Sequence, residues 1–222
     1  MKKLLNSITL ILLTSALFVS GAVAQEADQE TQMASFEAGT HYKVLEIPVT
    51  PSQAEQVEVV EVFSYMCVHC FNFDPYVEHW AEEQGGDVNF YRLPAVFNQD
   101  WELMAQAFFT AETLGVTDKV HSYIFDELHN KNRDMRQPDN LAQLFEEQAE
   151  VAEDDFKTAY NSFSVRSRVQ QSKAKARAFK ISGVPTMVVA GKYVVDGRMA
   201  GGNAAMLQVV DYLVNLEREA RQ

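Results

Sequence analysis

The chain contains only two cysteines, and they stand three residues apart just after an apolar segment. That segment, Val57–Phe63, is rich in β-branched and aromatic residues, which predicts a central strand buried on both faces. A helical pattern opens at Cys67 and includes Cys70. A strand that runs into Cys-x-x-Cys at the start of a helix is typical of a dithiol that cycles between reduced and disulfide forms.

The position of each cysteine predicts its role. Cys67 lies at the predicted helix N-terminus, where unpaired backbone N–H groups and the helix dipole favour a thiolate, so we expect Cys67 to be the attacking sulfur. Cys70 is one turn further along and is placed to resolve a mixed disulfide. His69 can stabilise the Cys67 thiolate by charge or by a hydrogen bond. A structural zinc site is the alternative, but it normally needs four ligands, so we predict no metal and no cofactor.

Glu61 is a charged residue that does not fit the otherwise buried character of the predicted central strand. The two-residue period places it on the same face as Val57, Val59 and Phe63, close beneath the dithiol. Burial there should raise its pKa, and the carboxyl could then relay the proton when Cys70 becomes the attacking thiolate. The alternative is an edge-strand glutamate that points to water.

Composition and the N-terminus restrict the partners and the compartment. A chain of 222 residues can bury a full core, and its formal net charge of −12 argues against nucleic acid as a partner. Two lysines, an apolar stretch over residues 4–19 and a small-x-small pattern ending at Ala24 predict a signal peptide over residues 1–24. A retained membrane anchor is the alternative. An exported protein would lie where disulfides persist.

Several further elements follow from periodicity. Residues 25–35 are polar, acidic and predicted to be flexible, and residues 42–47 predict a first strand. A strand over residues 88–93 should lie parallel to the central one, because a crossover helix joins them. Residues 99–164 predict an all-helical insertion of four amphipathic helices, with Asp139 or Asn140 as the N-cap of the third.

The C-terminal part returns to a mixed pattern. Residues 166–180 carry six basic side chains and no acidic one, which we interpret as a solvated helix face, with an anion or peptide site as the less favoured alternative. Val184 and Pro185 then precede a predicted β-hairpin, and a cis bond between them is compatible with such a turn. An apolar stripe after residue 203 predicts a final helix.

These motifs, in this order, resemble the DsbA family of periplasmic thiol-disulfide oxidoreductases, a branch of the thioredoxin superfamily. The resemblance covers essentially all of residues 36–222. The most specific matches are Glu61-x-Phe63-Ser64-x-x-Cys67-x-His69-Cys70 and Gly183-Val184-Pro185-x-Met187-x-Val189-x-Gly191-Lys192-Tyr193.

The resemblance implies an α/β protein with a thioredoxin fold over residues 36–98 and 165–222, interrupted by the helical insertion at 99–164. It implies a resting Cys67–Cys70 disulfide that is donated to reduced cysteine-containing exported proteins through a mixed disulfide at Cys67. A DsbB-type, quinone-linked partner in the inner membrane would then reoxidise the pair. Pro185 would be a cis-proline facing the dithiol, and the Val184 backbone would pair with substrate.

One residue departs from the best-known members of the family. Val68 stands where they carry proline, so the N–H pattern around the thiolate and the oxidising power could differ. A thioredoxin-like reductase and a peptide-binding chaperone module remain alternatives. An isomerase of the Dsb type is disfavoured, because the roughly 35 residues that would precede the strand core after removal of the predicted signal peptide leave no room for its dimerisation domain. We expect a monomer.

Overall fold

The computed structural model describes residues 36–221, so the predicted signal peptide and the segment 25–35 lie outside the described residues. This part of the chain holds five strands and eight helices. The strands are β1 (Lys43–Val44), β2 (Val57–Phe63), β3 (Val88–Pro94), β4 (Thr186–Val189) and β5 (Tyr193–Asp196). The helices are α1 (Val68–Glu82), α2 (Gln99–Leu114), α3 (Thr117–His129), α4 (Pro138–Ala149), α5 (Glu153–Tyr160), α6 (Phe163–Ala178), α7 (Gly197–Ala200) and α8 (Asn203–Glu219).

The strands form one mixed sheet in the order β1-β5-β4-β2-β3. Strand β2 runs parallel to β3 and antiparallel to β4, and all seven of its residues are buried. This confirms the predicted central strand, the parallel crossover through α1 and the hairpin of β4 and β5. The α/β class is therefore confirmed, and it places the end of β2 and the start of α1 inside the fold.

Four helices, α2 to α5, lie between β3 and α6, as the amphipathic patterns predict. Their apolar side chains form one core together with Phe63, Tyr65 and Cys70, so this helical region packs directly against the dithiol. Helix α6 packs against α2 and β3, and Val165 and Val169 lie in the core that α2 also lines. Two of its five basic side chains are exposed, and the other three are partly buried and pair with carboxylates: Arg168 with Glu112, Lys173 with Glu102 and Lys175 with Glu58. None of the helices in residues 36–221 has the length and the apolar character needed to cross a bilayer.

Two local predictions are wrong. The first strand extends only over Lys43–Val44, because its partner β5 begins at Tyr193, which already pairs with Val44. The N-cap of α4 is Gln137, since Pro138 occupies the first helical position, and neither Asp139 nor Asn140 caps the helix. Proline suits that position because its fixed φ is helical and its missing N–H has no partner there. The short helix α7 was not predicted.

Candidate active site

The dithiol lies where β2 ends and α1 begins. A turn joins the two elements, and in it the Cys67 N–H donates a hydrogen bond to the Ser64 carbonyl at 3.0 Å. Cys67 is the N-cap residue of α1 and has extended backbone angles, while Cys70 lies within the first turn. The structure contains both as thiols, with Cys67 partly exposed and Cys70 fully buried. Only the first sulfur is therefore open to a partner.

The surroundings of Cys67 favour its thiolate. A hydrogen bond from the Cys70 thiol lowers the pKa of Cys67 most, against the opposing effect of partial burial. The backbone N–H groups of Cys70 and His69 and the charge of His69 lower it further, to about 6. The first turn of α1 carries no acidic residue to offset the helix dipole.

The pKa of Cys70 moves in the opposite direction. Burial raises it first, and the hydrogen bond and charge of Cys67 and the charge of Glu61 raise it further. Cys70 therefore keeps its proton while Cys67 gives its proton up. The pair is polarised before any substrate arrives.

The loop before β4 faces the first sulfur. The Sγ atom of Cys67 lies 3.6 Å from the Val184 carbonyl oxygen, 117 residues away in sequence. The Val184–Pro185 peptide bond is cis, as the resemblance implies. Within residues 36–221 the Val184 N–H donates no hydrogen bond, so this segment offers an unpaired backbone edge beside the dithiol.

Glu61 lies in β2 with 1% of its surface exposed, which confirms the buried position and excludes the edge-strand alternative. Its Oε2 accepts a hydrogen bond from Arg92 Nε at 3.0 Å, and the two residues are register partners across β2 and β3. Burial raises the pKa of Glu61 to about 7, although Arg92 acts in the opposite direction.

Sequence reasoning missed the rest of the polar network beneath the dithiol. Arg92 Nη2 also donates to Asp74 at 3.1 Å, and Asp74 Oδ1 lies 3.0 Å from His121 Nε2. The other ring nitrogen of His121 lies 2.7 Å from the Tyr65 hydroxyl. Through His121 of α3, the helical region is thus joined to Glu61 by a continuous chain of hydrogen bonds. We call these five residues the buried polar network.

One sequence signal could have revealed part of this network. Arg92 is the single charged residue in β3, whose other residues are apolar or aromatic apart from Asn89, as Glu61 stands out against the apolar end of β2. Two opposite charges in neighbouring buried strands indicate a pair. Asp74 and His121 gave no such signal, because each lies in a helix of mixed composition.

The predicted site residues therefore fall into two groups. Cys67, Cys70, Val184 and Pro185 come together, with Glu61 below them. His69 is exposed, and its carbonyl accepts a hydrogen bond from Asn203 Nδ2 at 3.4 Å. This contact brings the start of α8 against the first turn of α1.

Comparison with known proteins gives consistent results. A family model described as DSBA-like thioredoxin domain matches residues 76–214. The thiol:disulfide interchange protein DsbA of Pseudomonas aeruginosa is 38% identical over 213 residues, 96% of each chain, and that of Azotobacter vinelandii is 39% identical over 211 residues, 95% of this chain and 96% of that one. A crystal structure of Pseudomonas aeruginosa DsbA has a TM-score of 0.80 at 39% identity, and covers 84% of this chain and 96% of that one.

A dithiol at a helix start, opposite a cis-proline loop on a mixed sheet, defines a thiol–disulfide oxidoreductase of the thioredoxin fold. The inserted helices and the matches above are more specific. The chain belongs to the DsbA-like thioredoxin family and is a protein disulfide oxidoreductase.

Proposed function

We propose that this protein donates the Cys67–Cys70 disulfide to reduced exported proteins in the periplasm and so drives their oxidative folding. The observation that carries the proposal is the asymmetry of the pair: an accessible Cys67 with a pKa of about 6 next to a buried Cys70 with a raised pKa. A stabilised thiolate favours the reduced form, which makes the disulfide a strong oxidant.

The proposed reaction is a two-electron exchange. A substrate thiolate attacks Cys67 Sγ, a mixed disulfide forms, and Cys70 leaves and takes up a proton. A second substrate thiolate then attacks the substrate sulfur and releases Cys67 as its thiolate. The substrate is oxidised by two electrons and the enzyme is reduced by two.

Glu61 supplies and removes the proton on Cys70 in this scheme. A carboxyl with a pKa of about 7 is half-protonated near neutral pH, so it can give a proton to the departing Cys70 and accept one when Cys70 attacks. In the dithiol form that the structure shows, its charge acts on Cys70. Glu61→Gln should therefore slow both steps, by roughly ten- to a hundredfold.

Three further parts of the proposal come from the family relationship. Substrate pairs with the free backbone edge of Val184 beside Pro185. A DsbB-type partner in the inner membrane removes two electrons and two protons from the dithiol and returns the disulfide. The enzyme acts as a monomer.

Equilibration of the protein with glutathione redox buffers tests the central claim. We expect a reduction potential more positive than about −200 mV. A value near that of thioredoxin, about −270 mV, would instead make the protein a reductase.

Cysteine variants separate an enzyme from a binding module. Cys67→Ser and Cys70→Ser should both abolish substrate oxidation, whereas a chaperone module would keep its activity in both. Cys70→Ser alone should accumulate substrate adducts that dithiothreitol releases, because Cys67 remains able to form a mixed disulfide. Adducts on Cys67→Ser would contradict the assignment of Cys67 as the attacked sulfur.

A further inference from the structure

A groove of about 390 Å³ opens beside the dithiol, on the side of His69. Its walls come from the cis-proline loop, from the start of α7 and from the start of α8. We call it the basic groove, because its ionisable side chains are three cations, one histidine and a single carboxylate. The residues that matter here are Lys43, His69, Lys180, Val184, Asp196 and Arg198.

The single carboxylate of the basic groove is already engaged. Asp196 Oδ1 accepts the backbone N–H groups of Arg198 and Met199, each at 3.0 Å. Its Oδ2 lies 3.7 Å from the Lys43 ammonium. By contrast, Lys180 and Arg198 are exposed, and no carboxylate in residues 36–221 lies within 4 Å of either charged group.

Two helix N-termini add to the positive potential. Asn203 opens α8 and contacts the carbonyl of His69 in the first turn of α1. Neither helix has an acidic residue in its first turn, so the positive end of each dipole is left without a compensating side chain. The basic groove thus contrasts with a chain whose net charge is −12.

The free backbone edge of Val184 belongs to the same groove. A substrate strand that pairs with this edge would carry its neighbouring side chains past Lys180 and Arg198. Building on the proposed function, we propose that the basic groove selects substrates with acidic residues next to the reactive cysteine. Nucleic acid is a poor match, because the surrounding negative charge repels a long polyanion.

The basic groove also bears on the anion or peptide site that the sequence leaves as an alternative for residues 166–180. The basic stretch at residues 166–180 is interpreted above as a solvated face, but only three of its six basic side chains, Arg166, Arg177 and Lys180, are exposed. Its last residue, Lys180, instead lines the basic groove with a positive φ of 56°, which directs the chain from the end of α6 towards the cis-proline loop. One residue of that stretch therefore fits the peptide-site alternative.

Oxidation of three matched peptides tests the proposal. Each carries the same cysteine pair, flanked by glutamate, glutamine or lysine, and kcat/KM is measured with the disulfide form of the full protein. We expect the glutamate peptide to exceed the glutamine peptide by about three- to tenfold at low ionic strength. High salt should remove most of this preference, because exposed charges are screened.

Two double variants locate the effect. Lys180→Gln with Arg198→Gln should bring the ratio of kcat/KM for the glutamate peptide to kcat/KM for the glutamine peptide close to one. Lys119→Gln with Arg166→Gln removes the same charge from exposed positions outside the groove and should keep the preference. A preference that survives in the groove variant, or that falls equally in the control, would overturn the proposal.

A charge-reversal variant distinguishes a changed substrate preference from a preference that is lost because the variant misfolds. Lys180→Glu with Arg198→Glu should prefer the lysine peptide, a gain that a damaged protein would not show. Absence of any preference in the unsubstituted protein also contradicts the proposal. If the glutamine peptide itself is not oxidised, the proposed function fails, and that outcome is distinct from a failed preference.

Discussion

Cys67 and Cys70 belong to the same turn of α1, yet their surroundings are opposite in charge and in exposure. At the start of α1, the hydrogen bond from the Cys70 thiol, the backbone N–H groups of Cys70 and His69 and the charge of His69 lower the pKa of Cys67 to about 6. Beneath the helix start, Cys70 is buried next to Glu61, and its pKa rises. The difference shows that the two sulfurs polarise each other, while the helix start lowers the pKa of Cys67 and burial with the charge of Glu61 in β2 raises the pKa of Cys70.

The largest expected effect comes from removing the only cation of the buried polar network. Arg92→Met leaves Glu61 and Asp74 without their shared partner, and uncompensated buried charges cost about 3–5 kcal/mol. Because the loss requires ionised carboxylates, the destabilisation should be larger at pH 8 than at pH 5. Urea unfolding at both pH values measures it.

A surface ion pair provides the control for Arg92. Arg218→Met breaks the pair of Arg218 with Asp87, whose side chain is half-exposed, and should cost at most about 1 kcal/mol. If Arg92→Met lowers the free energy of unfolding no more than this control does, the buried polar network does not stabilise the fold beneath the dithiol.

The next effect concerns Glu61, which should lower the stability of the folded protein at high pH. Its folded pKa of about 7 lies above the ordinary value of 4.5, so the folded state disfavours the ionised carboxyl. The resulting penalty is absent below about pH 4.5, grows as the pH rises, and is complete above pH 7. Glu61→Gln should therefore stabilise the protein by up to about 3 kcal/mol at pH 8 and by little at pH 4.5.

Glu58 is a matched control in the same strand. It is equally buried, but hydrogen bonds from Ser52 and the charge of Lys175 outweigh burial and lower its pKa. Its contribution is present above the unfolded pKa and is lost as the pH falls, so Glu58→Gln should destabilise the protein at pH 8. Equal signs for the two variants would contradict the distinction between the two carboxylates.

A smaller effect is expected at His69, next to the start of α1, on the pKa of Cys67. His69→Ser removes a charge and should raise the pKa of Cys67 by about half a pH unit, measured by thiolate absorbance against pH. His79→Ser, at an exposed position further along α1, should leave it unchanged. An unchanged value in His69→Ser would leave the Cys70 thiol and the backbone N–H groups as the sources of thiolate stabilisation in this turn.

The smallest effect is expected at Val68, the residue that departs from the best-known members of the family. The backbone donors that lower the pKa of Cys67 are His69 and Cys70, and Val68 is not among them. Proline is also well suited to the first position of a helix. Val68→Pro should thus change the pKa by less than about 0.3. A large drop would show that the Val68 backbone opposes the thiolate.

Prediction from sequence succeeded where a local pattern carried the information. The nearly continuous run of β-branched and aromatic residues in β2 predicted its central position, and the cysteine spacing predicted a dithiol at the start of a helix. The cap of α4 was missed because Pro138 competes with Asp139 for the helix start, and the sequence does not rank them. The short β1 was missed because its length depends on where β5 begins.

By itself, the sequence determined the α/β class, the dithiol, the buried Glu61 and the loop at Pro185, because each rests on neighbouring residues or on a fixed period. Only the tertiary structure decided what surrounds them. Arg92, Asp74 and His121 meet through strand register and helix packing, and Lys180 and Arg198 both line the basic groove. These charges are far apart in sequence, and electrostatic interactions depend on distance in space.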